Sequence, residues 1–172
     1  MTHLNVEIKA RSNGPDRIRN ILKELGADFN GTDHQIDTYF RVRSGRLKLR
    51  EGDIENYLIF YEREDQEGPK QSRVTLFPNT PGSSLKNILQ HALGELVCVD
   101  KTREIYFLDN MKFHLDSVVD LGTFVEIEAI DIDGSIGKET LYAQCQKYLS
   151  LFGISSDDLI SHSYSDLLLK KS

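Results

Sequence analysis

A chain of 172 residues, 28% charged and 39% hydrophobic, has the size and composition of one soluble globular domain with a sizeable core. Its 27 acidic against 21 basic side chains give a net charge of -6, which argues against a general nucleic-acid binder. The start, "MTHLNVEIKARSNG", lacks the apolar centre of a secretory signal and no apolar run reaches membrane-span length, so a cytoplasmic location away from membranes is expected. Cys98 and Cys145 are then expected to be buried, reduced thiols. With no CxxC or Cys/His cluster, a zinc site is not expected.

In chain order, alternating patterns predict strands over about residues 3–11, 36–43, 45–51, 56–64, 72–77, 97–107, 111–119 and 122–131. "SGR" at 44–46, "EGD" at 51–53 and "DNMK" at 109–112 are turn signals, and tight turns imply antiparallel neighbours. Helices punctuate the strands. "GPDRIRNILKELGAD" spaces Ile18, Ile21, Leu22 and Leu25 along one face, with Pro15 and Asp16 at the start and Gly26 at the stop. "GSSLKNILQHALGE" aligns Leu85, Ile88, Leu89 and Ala92, and "GKETLYAQCQKYLSLFGI" aligns Leu141, Cys145, Tyr148 and Phe152. A last helix is expected to begin near "SSDDLI". Each helix carries one apolar stripe and should lie against the sheet. "EDQEGPKQ", 64–71, reads as a loop. With no repeat or internal linker, residues 1–172 form a single domain in the α+β class: about eight short strands suit a barrel or sandwich, with helices on the outside.

The polar faces of these strands are charged. "TFVEIEAI" puts Glu126 and Glu128 on one face, roughly 7 Å apart, where two carboxylates at an effective dielectric near 20 repel by about 2 kcal/mol. "RLKLR" aligns Arg46, Lys48 and Arg50; "VEIK" aligns Glu7 and Lys9; "IFYER" aligns Tyr61 and Arg63. "DKTREI" aligns Lys101 and Arg103, and "FHLDSV" aligns His114 and Asp116. Any one of these is also the pattern of a solvated sheet face. As a set they differ, because nearly every strand is charged there and several are single-signed, whereas surface sheets mix signs to limit repulsion. Closed into a barrel with these faces inward, the strands enclose a basic wall opposed by carboxylates. Lys and Arg neutralise phosphate oxygens and carboxylates hold hard cations, so a polyphosphate with Mg²⁺ or Mn²⁺ suits both walls.

These motifs resemble the CYTH-domain family of the triphosphate tunnel metalloenzyme superfamily, which includes class IV adenylyl cyclases and thiamine triphosphatases. The resemblance spans nearly the whole chain: "NVEIKAR", "QIDTYFRVRSGRLKLRE", "LIFYERED", "VDKTREIYF", "HLDSVVDLGTFVEIE" and "SYSDLL". The second and last of these are most similar to the class IV cyclase-like branch. The resemblance implies an antiparallel eight-stranded barrel with helices packed outside. It implies Mg²⁺ or Mn²⁺ on Glu7, Asp116, Glu126 and Glu128, and a triphosphate path along Lys9, Lys48, Arg50, Arg63, Lys101 and Arg103. Glu7, Lys9, Lys101 and Arg103 are the implied catalytic groups. The implied substrate is a small triphosphate (ATP, thiamine triphosphate or inorganic triphosphate), cyclised, hydrolysed or merely bound by a monomer or homodimer. The family's ExExK strand reads here Asn5-x-Glu7-x-Lys9, so an amide stands where the first acid belongs. His34 and His114 read as structural or surface histidines, and His162 and Tyr164 lie in a segment that either caps the tunnel or packs. Arg43 and Arg73 are further candidates for the lumen.

Overall fold

On most strands the alternation is inverted relative to a filled barrel, with charged side chains pointing in, while Tyr57, Ile59, Tyr61, Val74 and Leu76 give one side of the lumen an apolar lining. A computed structural model describes residues 2–63 and 66–171. Its strands are β1 (Thr2–Arg11), β2 (Asp28–Phe40), β3 (Arg46–Gly52), β4 (Asn56–Arg63), β5 (Lys70–Pro78), β6 (Glu95–Leu108), β7 (Met111–Val118) and β8 (Gly122–Asp131). They close an antiparallel barrel in the order β1-β5-β4-β3-β2-β6-β7-β8, with β8 paired back onto β1. The register sets Glu7 opposite Glu128 and Lys9 opposite Glu126, so the acids and bases of two strands meet on the inner face. Among the described residues, no helix is long and apolar enough to cross a membrane.

The outward side chains Val6, Ile8, Phe113, Leu115, Val125 and Ile127 form the main core with two helices, α1 (Pro15–Glu24) and α3 (Lys138–Leu151). The first begins on Pro15, whose missing N–H costs nothing there, and ends at Gly26, whose φ of 76° takes the left-handed turn. Ile18 and Leu22 are its buried residues. Leu141, Cys145 and Tyr148 do the same for α3, and Phe113 meets Tyr148 edge-on at 4.9 Å between ring centroids. A second apolar cluster lies around Tyr39, Ile59, Tyr61, Val99, Val118, Phe124 and Tyr164.

Four expectations need correction. The second strand starts at Asp28 rather than near 36 and stops at Phe40. Its first half hides because its inward residues, Asp33 and Gln35, are polar yet fully buried, which removes the apolar alternation that marks a strand. The helix expected near "SSDDLI" is one 3₁₀ turn, Ser156–Asp158; the real α4 is Tyr164–Lys171. It is started by a capping box, in which the Asp166 N–H donates to Ser163 Oγ and the Ser163 N–H to Asp166 Oδ2. The helix α2 (Leu85–Leu93) buries no residue, and Ile88 of its stripe is 58% exposed. Finally, both cysteines are free as expected, but only Cys145 is buried and Cys98 is exposed. Part of the expected loop, Glu64 and Asp65, lies outside the described residues, and Lys70 and Gln71 belong to β5.

Phe113→Ala should cost about 3–5 kcal/mol in urea denaturation, because it empties the junction of barrel and α3. Ile88→Ala should stay within about 0.5 kcal/mol. Equal losses from the two would contradict this division of the core.

Candidate functional site

The inner faces enclose one cavity of about 910 Å³, counting its open mouth. All nine lumen residues expected from the sequence line it: Glu7, Lys9, Lys48, Arg50, Arg63, Lys101, Arg103, Glu126 and Glu128. Asp116 does not. It stands behind Arg103, with Oδ1 and Oδ2 accepting from the guanidinium at 2.7 and 2.6 Å, and Oδ2 also accepts the Tyr164 hydroxyl at 2.6 Å. Both oxygens of Asp116, expected from the resemblance to hold metal, are engaged by Arg103 and Tyr164 away from the cavity lining. Arg43 and Arg73 are exposed, and His34 pairs at the surface with Asp100 at 2.8 Å. His162 contacts Ser161 Oγ at 2.6 Å, and Arg46 reaches Asp166 at 2.7 Å.

Asp37 organises the basic wall, and sequence reasoning gave it no role. It is fully buried and accepts both Arg50 Nε and Nη2 at 2.9 Å, Lys101 Nζ at 2.7 Å and Lys48 Nζ at 3.0 Å. Burial alone would raise its pKa; the three cations overcome this and hold the carboxyl well below the usual range. Lys101 is pulled well down by its own burial, against Asp37 and with the repulsion of Arg103, Arg50 and Lys48.

The opposite wall is acidic. Glu126 takes Lys9 Nζ at 3.1 Å, Arg103 Nη2 at 3.2 Å and His114 Nδ1 at 2.9 Å. Glu7 accepts from Arg63, and Glu128 accepts the Asn5 amide. Burial, followed by the charge of nearby Arg103, pulls His114 down to about 4. The ring is therefore neutral, donates from Nδ1 and leaves Nε2 without a partner. Glu128 has the least compensation: its burial, with Glu7 and Glu126 close by, pushes it up to about 7 despite Lys112.

Buried polar atoms are normally satisfied, so those without a protein partner mark the chemistry a ligand would have to supply. Arg63 keeps Nε and Nη2 buried without an acceptor, and Asn5 Oδ1 is a buried carbonyl oxygen without a donor. The first wants an anion. The second, beside three carboxylates, suits a hard cation, so the donor chemistry of Asn5, Glu7, Glu126 and Glu128 fits a divalent ion of the oxygen-loving kind. Among the described residues no three His, Cys, Asp or Glu side chains are already gathered around one point: Glu126 is turned to Lys9, Glu7 to Arg63, and Glu128 to the Asn5 amide.

Two further lumen groups, Glu55 and Lys112, and a buried lysine outside the lining, Lys70, escaped the sequence reading. Glu55, in the turn between β3 and β4, accepts Arg50 at 3.1 Å, Lys112 at 2.5 Å and Gln35 at 3.0 Å. Asp33 aims that turn inward by accepting the N–H groups of Ile54 and Glu55 at 2.9 and 3.0 Å. Gly52 is required there, since a Cβ would lie 2.7 Å from the Glu55 carbonyl oxygen and 2.8 Å from Asp33. Lys112 lines the cavity beside Glu128. Lys70, opposite Glu7 and drawn down to about 8 by burial and by Arg63, donates to the Ser161 carbonyl at 2.7 Å. A turn acid and a lysine in a loop-like stretch give no alternation by which to find them.

Fold and wall chemistry together define a charged-lumen tunnel barrel. The chain belongs to the CYTH family, whose domain matches residues 3–164. It is 26% identical over 173 residues to a candidate adenylate cyclase of Methanocaldococcus jannaschii, covering 95% of this chain and 98% of that one. A Pyrococcus horikoshii protein superposes with a TM-score of 0.78 at 25% identity, over 95% of this chain and 98% of its own. A candidate adenylyl cyclase of Hippeastrum, described as having a dominant triphosphatase activity, shares the fold with a TM-score of 0.58 at 15% identity, over 98% and 95% of the two chains.

Asp37→Asn should lower stability by about 3–5 kcal/mol at neutral pH, since it leaves three buried cations without their carboxylate. The difference should shrink below about pH 4, where wild-type Asp37 begins to lose the benefit of ionising; a difference constant down to pH 2 would contradict this. Glu128 has the opposite sign. Its folded value of about 7 lies above the ordinary 4.5, so its contribution is present at low pH and lost as pH rises through that window. Glu128→Gln should flatten this fall in stability between about pH 4.5 and 7, read by thermal denaturation. An unchanged slope would mean the carboxyl is not held in a proton-retaining setting.

Proposed function

We propose that the protein is a divalent-metal-dependent enzyme acting on a triphosphate held in the lumen, of the class IV adenylyl cyclase kind. The observation that carries this is the buried Arg63 guanidinium with two unused donors, facing the same cavity as six other lysine and arginine side chains. Such a wall binds and orients a chain of phosphates, Arg through paired donors and Lys as point charges. The curated relative named for adenylate cyclase supports the choice of reaction.

In the cyclase reaction the 3′-hydroxyl of ATP attacks the α-phosphorus and pyrophosphate leaves. Catalysis of this type rests on positioning and on charge stabilisation. Lys48, Arg50 and Lys101, braced on Asp37, would grip the phosphate chain. Arg103, braced on Asp116, and Arg63 would meet charge as it develops on the leaving pyrophosphate. A divalent cation on Glu7, Glu126, Glu128 and the Asn5 carbonyl oxygen would supply charge neutralisation at the phosphate oxygens. Hydrolysis of a triphosphate is the second reading. The open mouth of the cavity admits water, and the Hippeastrum protein shows that this fold carries a triphosphatase.

Steady-state assays with ATP, thiamine triphosphate and inorganic triphosphate, each with Mg²⁺ and with Mn²⁺, separate the readings. Cyclic AMP with pyrophosphate from ATP is expected; orthophosphate release would establish the hydrolase instead. Triphosphate should also raise the melting temperature more than monophosphate at matched ionic strength, with about 2.7 kcal/mol of stabilisation at a hundredfold excess over Kd. Arg63→Leu should weaken triphosphate binding by about 10- to 100-fold. No turnover, together with equal shifts from both anions, would overturn the proposal.

A further inference from the structure

The C-terminal segment does more than cover the barrel. Its chain runs along β1, with Leu159 bridged to Ala10 and the Ile160 N–H donating to the Lys9 carbonyl at 2.9 Å. It then places Ser163 and Tyr164 on the cavity wall itself. Two ties fix it there, Arg46 on Asp166 from β3 and Lys70 on the Ser161 carbonyl from β5, while the Ser163–Asp166 capping box shapes the segment itself.

Tyr164 uses both of its chemistries. Its ring face lies 3.8 Å from Lys9 Nζ and 5.7 Å from Lys101 Nζ, and Phe124 packs against the ring at 4.9 Å between centroids. Its hydroxyl donates to Asp116 Oδ2, the carboxylate whose two oxygens hold Arg103. A buried tyrosine hydroxyl needs some partner, but filling the core requires neither that this partner be the carboxylate holding Arg103 nor that an ammonium lie over the ring. Without the ring, Lys9 keeps Glu126 as its attractive partner and settles onto it, away from a ligand. Without the hydroxyl, Asp116 loses one of the two donors that fix its plane.

We infer that Tyr164 is a positioning residue of the tunnel: its ring sets the ammonium groups of Lys9 and Lys101, and its hydroxyl, through Asp116, sets the Arg103 guanidinium. The C-terminal helix is thus a working part of the anion site. This rests on the reading of the lumen as a triphosphate site. The segment "SYSDLL" therefore matters through one atom pair and one ring face, and the two can be removed separately.

The test uses the full chain with Tyr164→Phe, which keeps the ring, and Tyr164→Leu, which removes both groups. Metal-free inorganic triphosphate is titrated calorimetrically into each, and the side chains are followed by NMR. In wild type the ε-methylene protons of Lys9 should be shifted upfield by the ring, and the Arg103 Nε–H should exchange slowly. Tyr164→Phe should keep the Lys9 shift, lose the slow exchange and bind about 10-fold more weakly. Tyr164→Leu should lose both signatures and bind at least about 30-fold more weakly than Tyr164→Phe. Wild-type affinity in both folded variants, or NMR signatures unchanged in them, overturns the inference. If Tyr164→Leu fails to fold, Tyr164→Phe decides alone: a retained Lys9 shift with lost Arg103 protection supports it, and no change in either sinks it. If wild type does not bind triphosphate, the functional reading fails, while the NMR signatures still decide the role of Tyr164.

Discussion

Seven lysine and arginine side chains inside one closed barrel repel one another, and the fold depends on how that repulsion is contained. Asp37 is the main answer. One fully buried carboxylate takes Lys48, Arg50 and Lys101 together, at distances of 2.7 to 3.0 Å. A buried ion pair is poor evidence of stability by itself, because desolvating the charges offsets much of their attraction. Its value here is geometric: three flexible cationic side chains from two strands are held at fixed positions before any ligand arrives. Asp116 does the same for Arg103 on the next strand. Both carboxylates are recessed, so the cavity presents cations whose counter-charges lie behind them.

That arrangement constrains the rest of the molecule. With so much of its inner face charged, the barrel cannot use its lumen as its principal core. Stability has to come from the outside of β1, β7 and β8, which α1 and α3 cover with Ile18, Leu22, Leu141, Tyr148 and Phe152. The outer face of the barrel is unequally covered, as α2 buries none of its residues. Alternation links the two surfaces: Val6 and Ile8 face the helices because Glu7 and Lys9 face the lumen, and a one-residue slip would exchange them. The outer packing therefore also guards the register of the site.

This coupling explains what was legible in the sequence. Where a strand has one apolar and one charged face, both the strand and its lumen residues can be read, as with "VEIK", "RLKLR" and "TFVEIEAI". Where both faces carry polar residues the signal vanishes. Asp33 and Gln35 are polar residues at fully buried positions, so the first half of β2 did not look like a strand. Asp37 was visible within "QIDTYF", but that it meets three cations is set by barrel closure, which brings β3 and β6 to either side of β2. Glu55 depends on a turn aimed by Asp33 from 22 residues away. Tyr164 depends on the path of a C-terminal segment whose helix starts later than its pattern implied. Local pattern carried the walls of the tunnel; the contacts that set its side chains are long-range, and alternation has no access to them.

The pairing inside the lumen also says what a ligand must do. Lys9 and Arg103 lie on Glu126, Arg63 lies on Glu7, and Glu55 bridges Arg50 and Lys112. An anion alone would draw the bases away and leave Glu7, Glu126 and Glu128 close together without counter-charge. A cation alone would draw the acids away and leave the bases unopposed. Either half-exchange carries the cost of a buried unpaired charge. A phosphate chain bearing a divalent ion exchanges both sets at once: phosphate oxygens take the bases while the ion takes the carboxylates and Asn5 Oδ1. By linkage, each component then strengthens the binding of the other by the same factor. The repelling glutamates and the crowded bases are thus two halves of one charge arrangement that pair with each other across the lumen.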